Sequence, residues 1–144
     1  MEESCQICRK AKDEIGKSSY YLFESEHFRV RHSDETKIAG YLIIEAKRHF
    51  LDLSMAKPEE TAEFGEVLAK TTKAVRQATK PMRVYTFSLA EAVPHFHMHV
   101  IPRQEDMPKR YVGRGIMSYP LNPPLDCQSR ESVSLSIKRA FKSL

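Results

Sequence analysis

The chain has 144 residues, of which 41% are hydrophobic and 29% charged, and its formal net charge is +4. That length suits one domain with an apolar core, and the apolar share excludes a chain disordered throughout. No apolar run approaches the length needed to span a bilayer. The opening Met1-Glu2-Glu3-Ser4-Cys5 lacks the basic-then-apolar order of a secretory signal, so a cytoplasmic protein is expected. The weak positive excess shows no dense basic arm and no RNA-binding module pattern, so no nucleic-acid partner is expected.

In chain order, residues 1–18 begin with Cys5-x-x-Cys8 and stay polar, as a short helical turn and a loop would. Residues 20–24 are aromatic-rich and read as a strand. Residues 28–32 alternate apolar and basic side chains, the pattern of a half-buried strand. Residues 41–44, after Gly40, form a compact apolar run suited to a central strand, and Lys47-Arg48-His49 follows its exit. The clearest helix spans 58–79. Pro58 fits its first turn, Glu59 and Glu60 suit the positive end of the dipole, and Pro81 stops it. Phe64, Val67, Leu68, Thr71, Val75 and Ala78 form its buried stripe. Residues 83–89 are β-branched and aromatic and predict a strand. The histidine-rich run 95–101 predicts another, joined to it by 90–94. Residues 103–128 read as irregular, and 130–144 as a closing helix. The fold class is α+β: an antiparallel five-stranded sheet with one long helix and a short C-terminal one, within a single domain.

Half of the six histidines fall in His95-Phe96-His97-Met98-His99. Alternate residues of a strand share a face, so His95, His97 and His99 are expected side by side, with Phe96, Met98 and Val100 turned to the core. Three crowded titratable rings are costly without a use. Two uses fit: three imidazoles binding a metal, or one imidazole acting as a nucleophile with its neighbours orienting it. The three cysteines, Cys5, Cys8 and Cys127, are an odd number and argue against a disulfide framework. For Cys5 and Cys8 the residues alone leave packing, redox chemistry and metal binding open.

The run His-φ-His-φ-His-φ-φ from His95 to Ile101, followed by Pro102-Arg103, resembles the signature of the histidine-triad (HIT) family of nucleotide hydrolases and transferases. The resemblance takes in Cys5-x-x-Cys8, Gly40 before an apolar strand and Lys47-Arg48-His49 after it, and covers about residues 5–103. It implies the HIT-like fold, a homodimer and a nucleotide substrate, with 104–144 as a C-terminal extension. It implies that His97 is the nucleophile and forms a transient nucleotidyl-histidine, with His99 near the phosphate. Water would then release a nucleoside monophosphate from adenylated, dinucleoside polyphosphate or phosphoramidate substrates. It further implies a structural zinc held by Cys5, Cys8, His49 and His95, a four-ligand set suited to a closed tetrahedral site. Ser88 is expected among the donors to the phosphate and Phe28, Val30 and His32 at the border of the base pocket; Ser33 takes the place of the family's ribose-binding Asp, and a bulge would bring the adjacent Asp34 to the ribose hydroxyls.

The chain departs from the family pattern just before the triad. Leu89-Ala90-Glu91-Ala92 stands where many members carry a Gly-rich segment ending in Gly-Gln and then Ser or Thr. Glu91 takes the place of the Gln and Ala92 that of the hydroxyl, which bears on leaving-group preference. This loop keeps a nucleotide-binding regulatory module with little turnover open as a second function, and the three histidines keep open a third, a metal-dependent hydrolase using all of them as ligands.

Overall fold

The structure is a computed structural model that describes residues 3–14 and 20–144. The end of the loop expected within residues 1–18 lies outside the described residues. Five strands form one antiparallel sheet in the order β1-β2-β3-β5-β4, with β1 at Tyr21–Glu24, β2 at Phe28–His32, β3 at Leu42–Ala46, β4 at Arg83–Phe87 and β5 at His97–Arg103. Three helices accompany it: α1 at Gln6–Glu14, α2 at Pro58–Thr79 and α3 at Cys127–Lys142. The irregular stretch after β5 contains 3₁₀ helices at Lys109–Tyr111 and Gly113–Ser118. Among the described residues no helix is long and apolar enough to cross a membrane.

The helix α2 has the bounds that its sequence signals predict. The Glu60 carboxylate accepts the Lys57 N–H at 2.7 Å, which stabilises the first turn, and Lys80 closes the last turn in the left-handed region with φ 48°. Its apolar stripe lies on one face of the sheet. There Phe28 and Val30 of β2, Leu42 and Ile44 of β3 and Val100 of β5 meet Phe64, Val67 and Val75 of α2 and Ile137 and Phe141 of α3. Each such fully buried side chain contributes roughly 1.5–3 kcal/mol. The helix α3 starts three residues earlier than its apolar spacing suggests, because Asp126 caps it by accepting the Ser129 N–H at 2.8 Å.

Period-two alternation sends the other residues of the same strands to the opposite face. Arg31 pairs with Ile43, Ile43 with His99, and His99 with Phe87, in one row across the sheet. Arg29, Glu45 and His97 form the next row. Gly40 fits the entry to β3 because its φ is 88° and an added Cβ would come 2.7 Å from Thr79 Cγ2. Its N–H donates to His32 Nε2 at 2.9 Å.

The histidine strand also differs from its expected bounds. The strand β5 begins at His97, so His95 precedes the ladder. Pro94 has no N–H to donate, and His95 turns tightly, its own N–H reaching Val93 O at 2.8 Å. Phe96 stays tied to the sheet by its N–H to Phe50 O at 2.6 Å. The three imidazoles therefore do not line up along one strand.

Candidate active site

His97 is buried at the start of β5, and its Nδ1 lies 2.7 Å from the backbone oxygen of His95. A carbonyl can only accept, so Nδ1 carries the proton and a neutral ring keeps its lone pair on Nε2. The Ser88 hydroxyl donates to the His97 carbonyl at 2.6 Å and so braces the backbone of that residue. His99 stands one pleat further, its ring centroid 5.0 Å from that of His97 and stacked on Phe87 at 4.8 Å. The Tyr41 hydroxyl lies 2.8 Å from His99 Nδ1. Burial pushes the Tyr41 hydroxyl up to about 12 and, reinforced by His97 and Arg31, lowers His99 to about 4. At neutral pH His99 is therefore an uncharged ring beside a protonated phenol.

His95 faces a different neighbourhood. Its Nε2 lies 2.7 Å from Ala46 O and donates to it, which leaves the lone pair on Nδ1. That nitrogen is 3.4 Å from Cys5 Sγ, 3.5 Å from Cys8 Sγ and 3.1 Å from His49 Nδ1, and Cys8 Sγ is 3.5 Å from His49 Nδ1. Together Cys5, Cys8, His49 and His95 offer four donor atoms within 4.8 Å of one another. Ligands at the usual zinc distances around one tetrahedral centre lie about 3.6 Å apart for sulfur to nitrogen and about 3.3 Å apart for nitrogen to nitrogen. The donor set and its spacing fit such an ion. Two elements bring the ligands together: the start of α1 supplies the cysteines, and the exit of β3 supplies His49. Arg48 anchors that exit by donating to Glu60 of α2 at 2.8 Å.

His97 and His99 open into a cleft of about 340 Å³. Its floor includes Ile43 and Arg31, one wall is the α1 residues Gln6, Ile7 and Lys10, and the loop 89–93 borders it. Ala90 in that loop has φ 54°, a left-handed conformation in a residue with a Cβ. Ser33 and Asp34 lie at the far end. Asp34 accepts a hydrogen bond from Lys10 Nζ at 2.6 Å and one from the Tyr20 hydroxyl at 3.4 Å, and Arg130 of α3 approaches at 3.9 Å. Burial alone would raise the Asp34 pKa, but Lys10, Arg31 and Arg130 outweigh it and hold the carboxyl below its ordinary value.

Of the expected nucleotide contacts, Asp34 lines this cleft, whereas Phe28, Val30 and His32 do not. All three belong to the even-numbered set of β2, on the helix face, where Phe28 packs against Phe64 at 5.3 Å between ring centroids. His32 spends its ring nitrogens on Ser33 O and the Gly40 N–H. Ser88 holds the His97 backbone and is not among the lining residues. The odd-numbered positions supply what sequence reasoning missed: Arg31 on β2, Ile43 and Glu45 on β3, and Tyr41 just before it. Strand parity counted back from His99 would have found them. Arg31 Nε donates to the buried Glu45 carboxylate. Burial lowers the Arg31 pKa, and Glu45, Tyr20 and Asp34 more than offset it, so the guanidinium stays charged.

A five-stranded antiparallel sheet with two histidines of an alternating run opening into a cleft, and the third among paired cysteines, has the architecture of a histidine-triad protein. The chain belongs to the HIT family, whose HIT domain model matches residues 16–106. The fold is shared with a hypothetical histidine triad nucleotide-binding protein of Sulfolobus tokodaii, at a TM-score of 0.77 and 18% identity over 97% of this chain and 93% of that one. It is shared with a Zn-bound histidine triad family protein of Mycobacterium smegmatis, at 0.73 and 20% identity over 97% and 94%. A Hit-like protein involved in cell-cycle regulation from Bartonella henselae gives 0.75 and 19% identity over 96% and 97%. No curated protein matches the chain in sequence.

Proposed function

We propose that this protein is a nucleotide hydrolase or nucleotidyl transferase that works through a covalent nucleotidyl-His97 intermediate. The observation that carries this is the pinned ring of His97: Nδ1–H on the His95 carbonyl, and a lone pair left on Nε2 in a residue that lines the cleft. Nε2 attacks the α-phosphorus of a dinucleoside polyphosphate or nucleoside phosphoramidate, and the bond from phosphorus to the leaving group breaks. The carbonyl of His95 steadies the positive charge that develops on the ring. A water then attacks the same phosphorus, the P–N bond breaks, and a nucleoside monophosphate leaves. With the Tyr41 O–H donating to Nδ1, His99 keeps its proton on Nε2 and offers it to a phosphoryl oxygen.

Cys5, Cys8, His49 and His95 would hold a structural zinc. Bound there, the ion supplies no chemistry at phosphorus. It would tie the start of α1, which is the cleft wall, to the residue whose carbonyl positions His97. One zinc per chain by elemental analysis is expected. A homodimer accompanies this reading, as the family resemblance implies. A hydrolase using all three histidines around one ion is not favoured, because the lone pair of His95 faces the cysteines.

The test is release of nucleoside monophosphate from a panel of dinucleotides and phosphoramidates. Wild type should turn over at least one of them, and His97→Ala should lower kcat by at least about 10³-fold. Retained turnover in His97→Ala would overturn the mechanism. Tight nucleotide binding with no turnover would select the binding module instead, a reading that Glu91 and Ala92 in the bordering loop keep open.

A further inference from the structure

Arg31 and Glu45 take no part in the transfer just described, yet both are buried, at 9% and 1% exposure. Glu45 neighbours His97 across the sheet, and Arg31 stands in the row of Ile43 and His99. Two strand spacings, roughly 10 Å, separate Arg31 from His99. The cleft extends from the histidines toward Arg31, with Ile43 as an apolar step between them and Leu89 and Val93 at its border. A nucleotide whose α-phosphorus sits at His97 would lay its base over Ile43 and bring the far edge to Arg31.

The guanidinium is prepared for such an edge. Its Nε is committed to Glu45, while Nη1 and Nη2 have no hydrogen-bond partner among the described residues. Glu45 balances the charge, so the pair presents directed donors with little net charge. That suits a neutral acceptor edge better than a second phosphate, which an unpaired cation would attract more strongly. An arginine fork matches the O6 and N7 acceptors of guanine, whereas adenine puts an amino donor in place of O6, and a guanidinium has no acceptor to meet it.

We propose that Arg31, held in position by Glu45, sets base specificity by recognising the O6/N7 edge of a 6-oxopurine, guanine or hypoxanthine, against adenine. This rests on the nucleotidyl-transfer reading above, and it departs from the adenylated substrates that family resemblance suggests.

The experiment compares kcat/KM for guanosine, inosine and adenosine 5′-phosphoramidates of the same amine. Wild type should prefer guanosine and inosine over adenosine by about tenfold or more. In Arg31→Lys, which keeps charge without the fork, that ratio should fall toward one. The double variant Arg31→Met/Glu45→Met removes both charges, so no lone carboxylate is left buried, and it should show the same collapse. The ratio is the readout because a merely structural pair would change all three rates together. Equal or better use of adenosine by wild type, or an unchanged ratio in the variants, would overturn the proposal. If the three substrates react equally while His97 still carries the nucleotide, only the base assignment falls. If no nucleotide reacts, and neither GMP nor AMP binds in calorimetry, the parent reading falls and takes this one with it.

Discussion

His95 and His97 are two residues apart, and their rings are used in opposite ways. His95 has both nitrogens committed, Nε2 to Ala46 O and Nδ1 toward two thiols and a second imidazole. Among the described residues His97 commits only Nδ1 and keeps Nε2 spare. The difference begins in the backbone, because Pro94 turns the chain before the ladder starts at His97. One ring can therefore organise structure while the next remains reactive, and the carbonyl of the first positions the second. The position of an imidazole in a repeat does not decide its role; the partners of its two nitrogens do.

If the His95 end is structural, Cys5→Ser should abolish zinc binding and lower unfolding stability by about 3 kcal/mol or more, measured by urea denaturation of the metal-loaded protein. Unchanged stability and unchanged zinc would show that the four donors do not act as one site.

The second effect is on pH. Burial lowers His99 to about 4 in the folded chain against an ordinary 6.5. As pH falls, the unfolded chain takes up this proton first. The stability contributed by neutral His99 is therefore whole above pH 6.5 and lost as pH falls toward 4. Allowing for partial exposure, wild type should lose on the order of 2 kcal/mol more than His99→Gln between pH 7 and pH 4.5. Parallel losses in the two proteins would contradict the burial of that ring.

The smallest expected effect concerns the loop. Ala90 holds φ 54°, a conformation that glycine adopts without a Cβ clash. Ala90→Gly should stabilise the protein by up to about 1 kcal/mol, the relief of strain being partly offset by chain entropy. Destabilisation would mean that the Ala90 methyl makes contacts worth more than its strain.

Much of the fold was legible because strong local signals and tertiary packing agree. The bounds of α2 follow from Pro58 and Pro81, and β2 coincides with its alternating run. Cys5, Cys8, His49 and His95 were legible only through family resemblance, since a lone Cys-x-x-Cys leaves packing, redox and metal binding open. Less legible was the face of each strand. Phe28 and His32 looked suited to a base pocket by residue type, yet their parity sends them to the helix face, and Arg31, between Val30 and His32, turns to the cleft. The turn at His95 was hidden because an alternating pattern looks the same whether or not the ladder has begun. The early start of α3 was set by a cap, Asp126, that lies outside its apolar stripe.

The most direct measurement is to quench the wild-type protein during turnover of a phosphoramidate or dinucleotide and map the adduct by mass spectrometry. A nucleotidyl group is expected on the peptide containing His97, assigned to that ring, absent in His97→Ala and absent from His95 and His99. A nucleotidyl group on His95 or His99, or full turnover by His97→Ala, would contradict the covalent mechanism at His97.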